Sequence, residues 1–220
     1  MLRRGPGIGR SPRLYPPRGQ ITEPRTSEVD PLEKDLLAKA RGGNLFAFEE
    51  IVRRYQRRVY GVALRVVRRH DVADDVAQEA FLRAHQALQS FDLERPFGPW
   101  ICRIAANLAV NHVRSPRARE QGLPEGHAET PASAASPLEG VLDQEARAVL
   151  DRALESLPSD QRAVFVLRVY DEQSYKEIAE GLGLSMGTVM SRLSRAREKL
   201  RAALRPYLGT AALRAGGGDS

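Results

Sequence analysis

Cysteine is nearly absent: Cys102 is the one thiol among 220 residues. The chain therefore has no intrachain disulfide and is not a secreted disulfide scaffold. Histidine is also sparse. His70, His85, His112 and His127 are scattered and none neighbours Cys102, so no zinc-ligand spacing arises, and neither metal nor cofactor is expected. No apolar run approaches the roughly 20 residues that a membrane span requires. The N-terminal stretch has arginines but lacks the apolar core of a signal peptide. No segment alternates with β periodicity, and no repeat of 20–50 residues is visible. No nucleophile or metal-ligand constellation points to an enzyme. These absences predict a soluble, cytoplasmic, all-α protein with no membrane insertion and no covalent chemistry of its own.

What is abundant is arginine. The 34 basic residues outnumber 28 acidic ones, for a net charge of +6, and only Lys34, Lys39, Lys176 and Lys199 among them are lysine. The planar guanidinium fork suits phosphate and guanine edges, so the bias fits a polyanion partner, although a GC-rich coding sequence would produce it too. Hydrophobic content of 42% is enough for packed cores.

Composition divides the chain. Residues 1–28 hold six arginines among Gly and Pro without a hydrophobic period. They read as a disordered basic arm, or as sequence upstream of a start at Val29. Residues 29–114 read as one helical domain. Leu32, Leu36, Leu37 and Ala40 mark a short helix that stops at Gly42-Gly43, and Asn44 can cap the next. Phe48, Ile51, Val52, Tyr55, Val59, Val62, Ala63 and Val66 then follow a 3.6-residue period. Asp71 opens a third helix with Val76, Ala77, Ala80, Phe81, Ala84 and Leu88 on one face. Residues 90–99 read as a loop stiffened by Pro96 and Pro99, before a fourth helix that buries Ile101, Ile104, Ala105, Leu108 and His112. Residues 115–137 are small, polar and proline-dotted, a flexible linker. A second helical domain covers 138–207, and 208–220 reads as a disordered tail. The expected product is two small all-α domains on a tether.

The second domain carries the most specific local signal. Ser174 and Glu177 form an S-x-x-E capping box. Ile178, Ala179 and Leu182 face inward, Gly181 and Gly183 permit a tight turn, and Ser185 caps the next helix. That helix buries Val189, Leu193, Ala196 and Leu200. Its other face shows Ser191, Arg192, Ser194, Arg195 and Lys199. Helix, glycine-containing turn and helix with an exposed Arg/Ser face make a helix-turn-helix. Gly187 and Thr188 are small enough near the turn for phosphate to approach, and Arg192 and Arg195 can reach bases. Residues 185–206 hold six basic side chains against Glu198.

The first domain offers two other faces. On the fourth helix Arg103, Asn107 and Asn111 recur at i, i+4, i+8, and Arg114 continues the face. Asparagine satisfies unpaired base edges and arginine neutralises phosphate, so this face suits a single strand. Phe91, Arg95 and Phe97 in the preceding loop could support a base, although core burial of the phenylalanines competes with that role. Trp100 lies at the border between core and face. On the third helix Asp71, Asp74, Asp75, Gln78 and Glu79 fall within nine residues. No second acidic cluster completes a metal site, and this face reads as a docking surface for a basic protein partner or as a solvated face.

Taken in order, the acidic helix DVADDVAQEAFLRAH, the helix PWICRIAANLAVNHVR and the segment LPSDQRAVFVLRVYDEQSYKEIAEGLGLSMGTVMSRLSRAREKL resemble the extracytoplasmic-function (ECF) sigma factors of bacterial RNA polymerase, over roughly residues 32–207. The resemblance implies that the first domain is region 2 and the second is region 4. It implies that Asp74, Asp75, Gln78, Glu79 and Arg83 dock on the clamp helices of the polymerase β′ subunit, with further contacts to the β subunit. Asn107 and Asn111, with the loop before Trp100, would hold the melted −10 strand, and Thr188, Ser191, Arg192 and Arg195 would lie in the major groove of the −35 element. Promoter DNA and an anti-sigma factor are the other implied partners, the latter able to hold the protein at the membrane. Met190 stands where the family often has Lys or Arg, and Gly98 where many members have a polar residue. The competing reading is a helix-turn-helix regulator that acts without replacing the polymerase sigma subunit.

Overall fold

A computed structural model describes residues 30–115 and 144–215, with side chains placed for 30–115 and 148–206. The expected arm at 1–28 and nearly all of the expected linker lie outside the described residues. Asp30 caps α1 (Pro31–Arg41) by accepting from Leu32 N at 3.0 Å, and Pro31 occupies the first turn, where its missing N–H costs nothing. Gly43, at φ +91°, turns the chain, and Asn44 caps α2 (Leu45–Val67) by accepting from Ala47 N at 3.1 Å. Arg68 ends α2 in the left-handed region at φ 61°. Then follow α3 (His70–Ala87), a 3-10 turn at Leu88–Ser90, and α4 (Phe97–Arg114). The second block comprises α5 (Gln144–Glu155), α6 (Ser159–Val169), α7 (Tyr175–Leu182) and α8 (Met186–Ala215). Helices are the only extended regular elements among the described residues.

Two expectations are revised here. The predicted tail from residue 208 is helical as far as Ala215, because α8 continues through Pro206. The predicted loop over 90–99 is shorter, since α4 starts at Phe97.

In the first block α2, α3 and α4 pack pairwise and α1 lies on α2. Each helix turns one stripe inward: Ile51, Val59 and Ala63 from α2, Val72, Ala73, Val76 and Ala80 from α3, and Ile101, Ala105 and Ala109 from α4. Small residues dominate the α3 and α4 stripes, so the helix axes can approach closely.

The second block does not stand apart. α6 packs against α2 and α4 on one side and α8 on the other. Ala163, Val164, Phe165, Val166 and Leu167 are five consecutive residues at 0% exposure. A run without a polar face requires cover all round, and α2 and α4 of the first block supply part of it. Two helical blocks form as expected, but they share one core, and the expected tether falls almost entirely outside the described residues.

Candidate nucleic-acid interface

The acidic face is built as the periodicity requires. With Val72, Val76, Ala80 and Ala84 of α3 buried, Asp74, Asp75, Gln78 and Arg83 point outward and are exposed, and Glu79 is half-buried. Arg83 Nε donates to Glu79 Oε1 at 2.7 Å, an i,i+4 pair. Exposed Leu82 adds an apolar element to the same surface. Asp71 is set apart: it pairs with Arg69, whose guanidinium hydrogen bond draws the carboxyl below its ordinary range.

The helix-turn-helix assembles from α7 and α8. Ser174 N donates to Glu177 Oε2 at 2.8 Å and Glu177 N to Ser174 Oγ at 3.2 Å, so both halves of the capping box form. Gly183 adopts φ +61°, and its N–H returns to Ala179 and Glu180 carbonyls, closing the helix in the left-handed manner that glycine favours. Thr188 N donates to Ser185 Oγ at 3.1 Å, starting α8. Val189, Leu193, Ala196 and Leu200 are buried. Gly187, Ser191, Ser194, Arg195 and Lys199 are exposed, and Thr188 and Arg192 are half-buried. Met190, noted above as a departure from the family pattern, is 55% exposed on the outer surface.

The α4 face is placed differently from the expectation. Asn111 is exposed, but Arg103, Asn107 and Arg114 turn toward the second block. Arg103 Nη1 is 3.4 Å from Gln173 Oε1, and burial lowers the pKa of this guanidinium. Asn107 Nδ2 donates to the Gly181 carbonyl at 2.7 Å. Arg114 meets Asp160 at 3.3 Å, and Arg192 reaches the same carboxylate oxygen at 3.1 Å. Arg95 is exposed and lies 3.6 Å from Glu180.

Phe91 and Phe97 are corrected. They are 6% and 0% exposed and form an edge-to-face pair at 5.7 Å between ring centroids. Trp100 lies over them at 4.6 and 5.4 Å. Arg41 donates to the Phe91 carbonyl, and Glu33 Oε1 accepts from Phe97 N at 3.2 Å. The cluster shapes the loop from below, and its half-buried member Trp100 is the ring nearest the surface. Gly181 is also corrected: it belongs to α7 rather than the turn.

The residues that join the blocks were not expected. Arg58 Nε donates to Asp171 at 2.6 Å. Gln173 Nε2 donates to Pro99 O at 3.2 Å. Arg68, 4% exposed, meets Asp151 at 3.3 Å and Glu155 at 3.1 Å, and Arg65 stacks over the Tyr170 ring at 4.2 Å. Arg58 and Arg65, seven residues apart, lie near one line along α2, and Arg68 follows at its C-terminal cap. That is the signal available in the sequence, namely arginines sharing a helix face with Tyr55, Gly61 and Val62. Among the described residues no helix is long and apolar enough to cross a membrane, and no three His, Cys, Asp or Glu side chains gather to hold a metal.

Family comparisons agree with this layout. The model described as Sigma-70 region 2 matches residues 51–120, and that described as Sigma-70, region 4 matches residues 147–200. The RNA polymerase sigma-H factor of Pseudomonas aeruginosa is 34% identical over 184 residues, covering 80% of this chain and 95% of the relative. The ECF RNA polymerase sigma factor SigW of Bacillus subtilis is 34% identical over 181 residues, covering 78% and 96%. The solved structure of the sigma factor RpoE in complex with the anti-sigma factor NepR from Bartonella quintana aligns with a TM-score of 0.58 at 28% identity, over 72% of this chain and 96% of that one. Two region matches in the same order, and relatives aligned nearly end to end, lead to one assignment: this chain belongs to the extracytoplasmic-function family of RNA polymerase sigma factors.

Proposed function

We propose that this protein is an alternative sigma factor that binds core RNA polymerase, brings it to specific promoters and promotes strand opening. The observation that carries the reading is the presence of region 2 and region 4 in one chain aligned over 80% of its length to a sigma factor. A helix-turn-helix regulator acting alone would carry a ligand or dimer domain in place of region 2, so that reading is not favoured.

The residues divide into three tasks. Asp74, Asp75, Gln78, Glu79 and Arg83, on the outer face of α3, dock on the β′ clamp helices, and region 4 meets the β subunit. Gly187, Thr188, Ser191, Arg192, Ser194, Arg195 and Lys199 engage the −35 duplex, arginines supplying base-edge contacts and the small residues admitting phosphate. Arg95, Arg103, Asn107, Asn111 and Arg114 hold the opened −10 strand. Residues 29–114 and 138–207 are the two working domains. No covalent step, metal or cofactor is involved. Melting begins where unstacking costs least, at pyrimidine–purine steps, and capture of extruded bases turns that cost into sequence discrimination. The protein works in the cytoplasm, with an anti-sigma factor as its antagonist.

The test is complex formation. Purified chain mixed with core polymerase should co-elute with it and yield a footprint that spans both promoter elements. A chain that ignores core and protects a two-fold symmetric duplex site on its own would move the assignment to a regulator.

A further inference from the structure

We propose that Met190, with Met186 one turn before it, reads thymine methyl groups in the major groove, so that the duplex element this protein selects carries thymine at the matching positions. The inference rests on the sigma-factor reading above and deepens it by naming a base that region 4 recognises.

Methionine usually fills gaps in a core. Here Met186 and Met190 both stand on the surface of α8, 45% and 55% exposed. The core does not need them, since α8 closes it with Val189, Leu193, Ala196 and Leu200. Four residues apart, they lie one above the other on one side of the helix, and Ser194 continues their row. Ser191 and Arg195, both exposed, form the adjacent row. Across residues 185–206 six basic side chains stand against one acid, so the apolar pair is set in a surface suited to a polyanion. A helix that enters the major groove meets base edges with its N-terminal residues, and the first two turns of α8 are the ones that carry Met186 and Met190.

The hydroxyls of the same turns support this division of labour. Ser185 Oγ and Thr188 Oγ1 share a hydrogen bond at 2.8 Å, and Ser191 Oγ donates to Thr188 O at 3.0 Å. These groups are engaged with their own helix, so hydrogen-bond readout falls mainly to Arg195 further along. What the first two turns offer outward is thioether and methylene. The thymine C5-methyl is the apolar group that a base pair presents in the major groove, and a flexible, polarisable thioether suits it. A basic side chain at position 190 would favour guanine instead, whose O6 and N7 accept.

Gly187 supplies the room. Glycine is disfavoured within a helix, and Gly187 is not among the glycines of positive φ. A Cβ there would meet nothing nearer than Ser185 Oγ at 3.9 Å. Neither the backbone nor internal packing requires this glycine, whereas a bare backbone beside the two methionines lets DNA approach closely enough for both to reach base edges.

The experiment selects from a random-sequence duplex library with the full chain, once alone and once with core polymerase. Each thymine of the enriched element is then replaced by uracil, which removes the C5-methyl and nothing else. Binding should fall about fourfold at one or two adjacent positions, the usual worth of one buried methyl. Met190→Ala should weaken binding to the thymine duplex and become indifferent to uracil at those positions. Met190→Leu should stay sensitive, and Met190→Arg should enrich guanine there. A wild-type chain indifferent to uracil at every position would overturn the inference, and this result needs no variant to fold. So would a Met190→Ala chain as methyl-sensitive as wild type, or the absence of any enriched element. Loss of core co-elution on Met190→Ala would also overturn it, by giving the side chain to a protein contact. A methyl-sensitive element enriched by the chain alone, with no binding to core, leaves the inference standing and sinks the sigma-factor reading. A methyl-indifferent element that supports transcription with core does the reverse.

Discussion

Arg58 Nε lies 2.6 Å from Asp171 Oδ1, while Gln173 Nε2 holds Oδ2 of the same carboxylate at 2.5 Å. The Asp171 side chain is 1% exposed, so this charge is held by protein groups, with the Cys102 thiol a further hydrogen-bond partner. Arg58→Ala should lower stability by about 1–3 kcal/mol, the usual cost of stranding a buried acceptor. A urea titration followed by circular dichroism would register it as a lower midpoint. An unchanged midpoint would mean that water replaces the guanidinium.

Phe97 should behave as a core residue and not as a base platform. It is fully buried among Tyr55, Phe91 and Trp100. Phe97→Ala should cost about 3–5 kcal/mol of stability. Any loss of promoter opening should track the fraction unfolded across temperature. A stable variant that fails only in strand opening would return Phe97 to the DNA surface.

Charge reversal on the acidic helix should separate polymerase binding from folding. Asp74 and Asp75 are exposed, so Asp74→Lys with Asp75→Lys should leave helix content nearly unchanged, within about 0.5 kcal/mol of wild-type stability. Co-elution with core polymerase should be lost. Retained co-elution would remove α3 from the docking surface.

Asn107 and Asn111 should matter after docking. An amide satisfies a base edge that has become unpaired and gains little from a paired one. Asn107→Ala with Asn111→Ala should therefore leave polymerase binding near normal and reduce permanganate reactivity of promoter thymines. A mismatched, pre-melted bubble should restore most transcription, because the unpairing cost is already met. Equal failure on the bubble would assign the face to another step.

The helices and most of their buried stripes were legible in the sequence because periodicity and caps are local, but on α4 Ile104, Leu108 and His112 of the expected stripe are only half-buried while Cys102, Ala106 and Ala109 are buried. The Asn44 cap, the Ser174–Glu177 box and the Val189–Leu200 stripe all appear where the pattern placed them. The acidic face was legible for the same reason, since burying Val76 and Ala80 fixes where Asp75 and Glu79 point. Phe91 and Phe97 were not, because an aromatic in a proline-rich loop reads the same whether it is covered or open. The packing of the two blocks was hidden too. Asp160 and Gly181 acquire their roles only from partners far away in sequence, and no period along α6 or α7 encodes what lies across the gap. The continuous apolar run of α6 was the readable hint, and it says only that cover is needed.

The central claim is tested most directly by mapping transcript 5′ ends made in vitro by core polymerase and this protein on fragmented genomic DNA from the source bacterium. A sigma factor should yield a discrete set of start sites that share one upstream and one downstream element at fixed spacing, and core alone should not produce them. Identical 5′ ends with and without the protein would contradict the assignment.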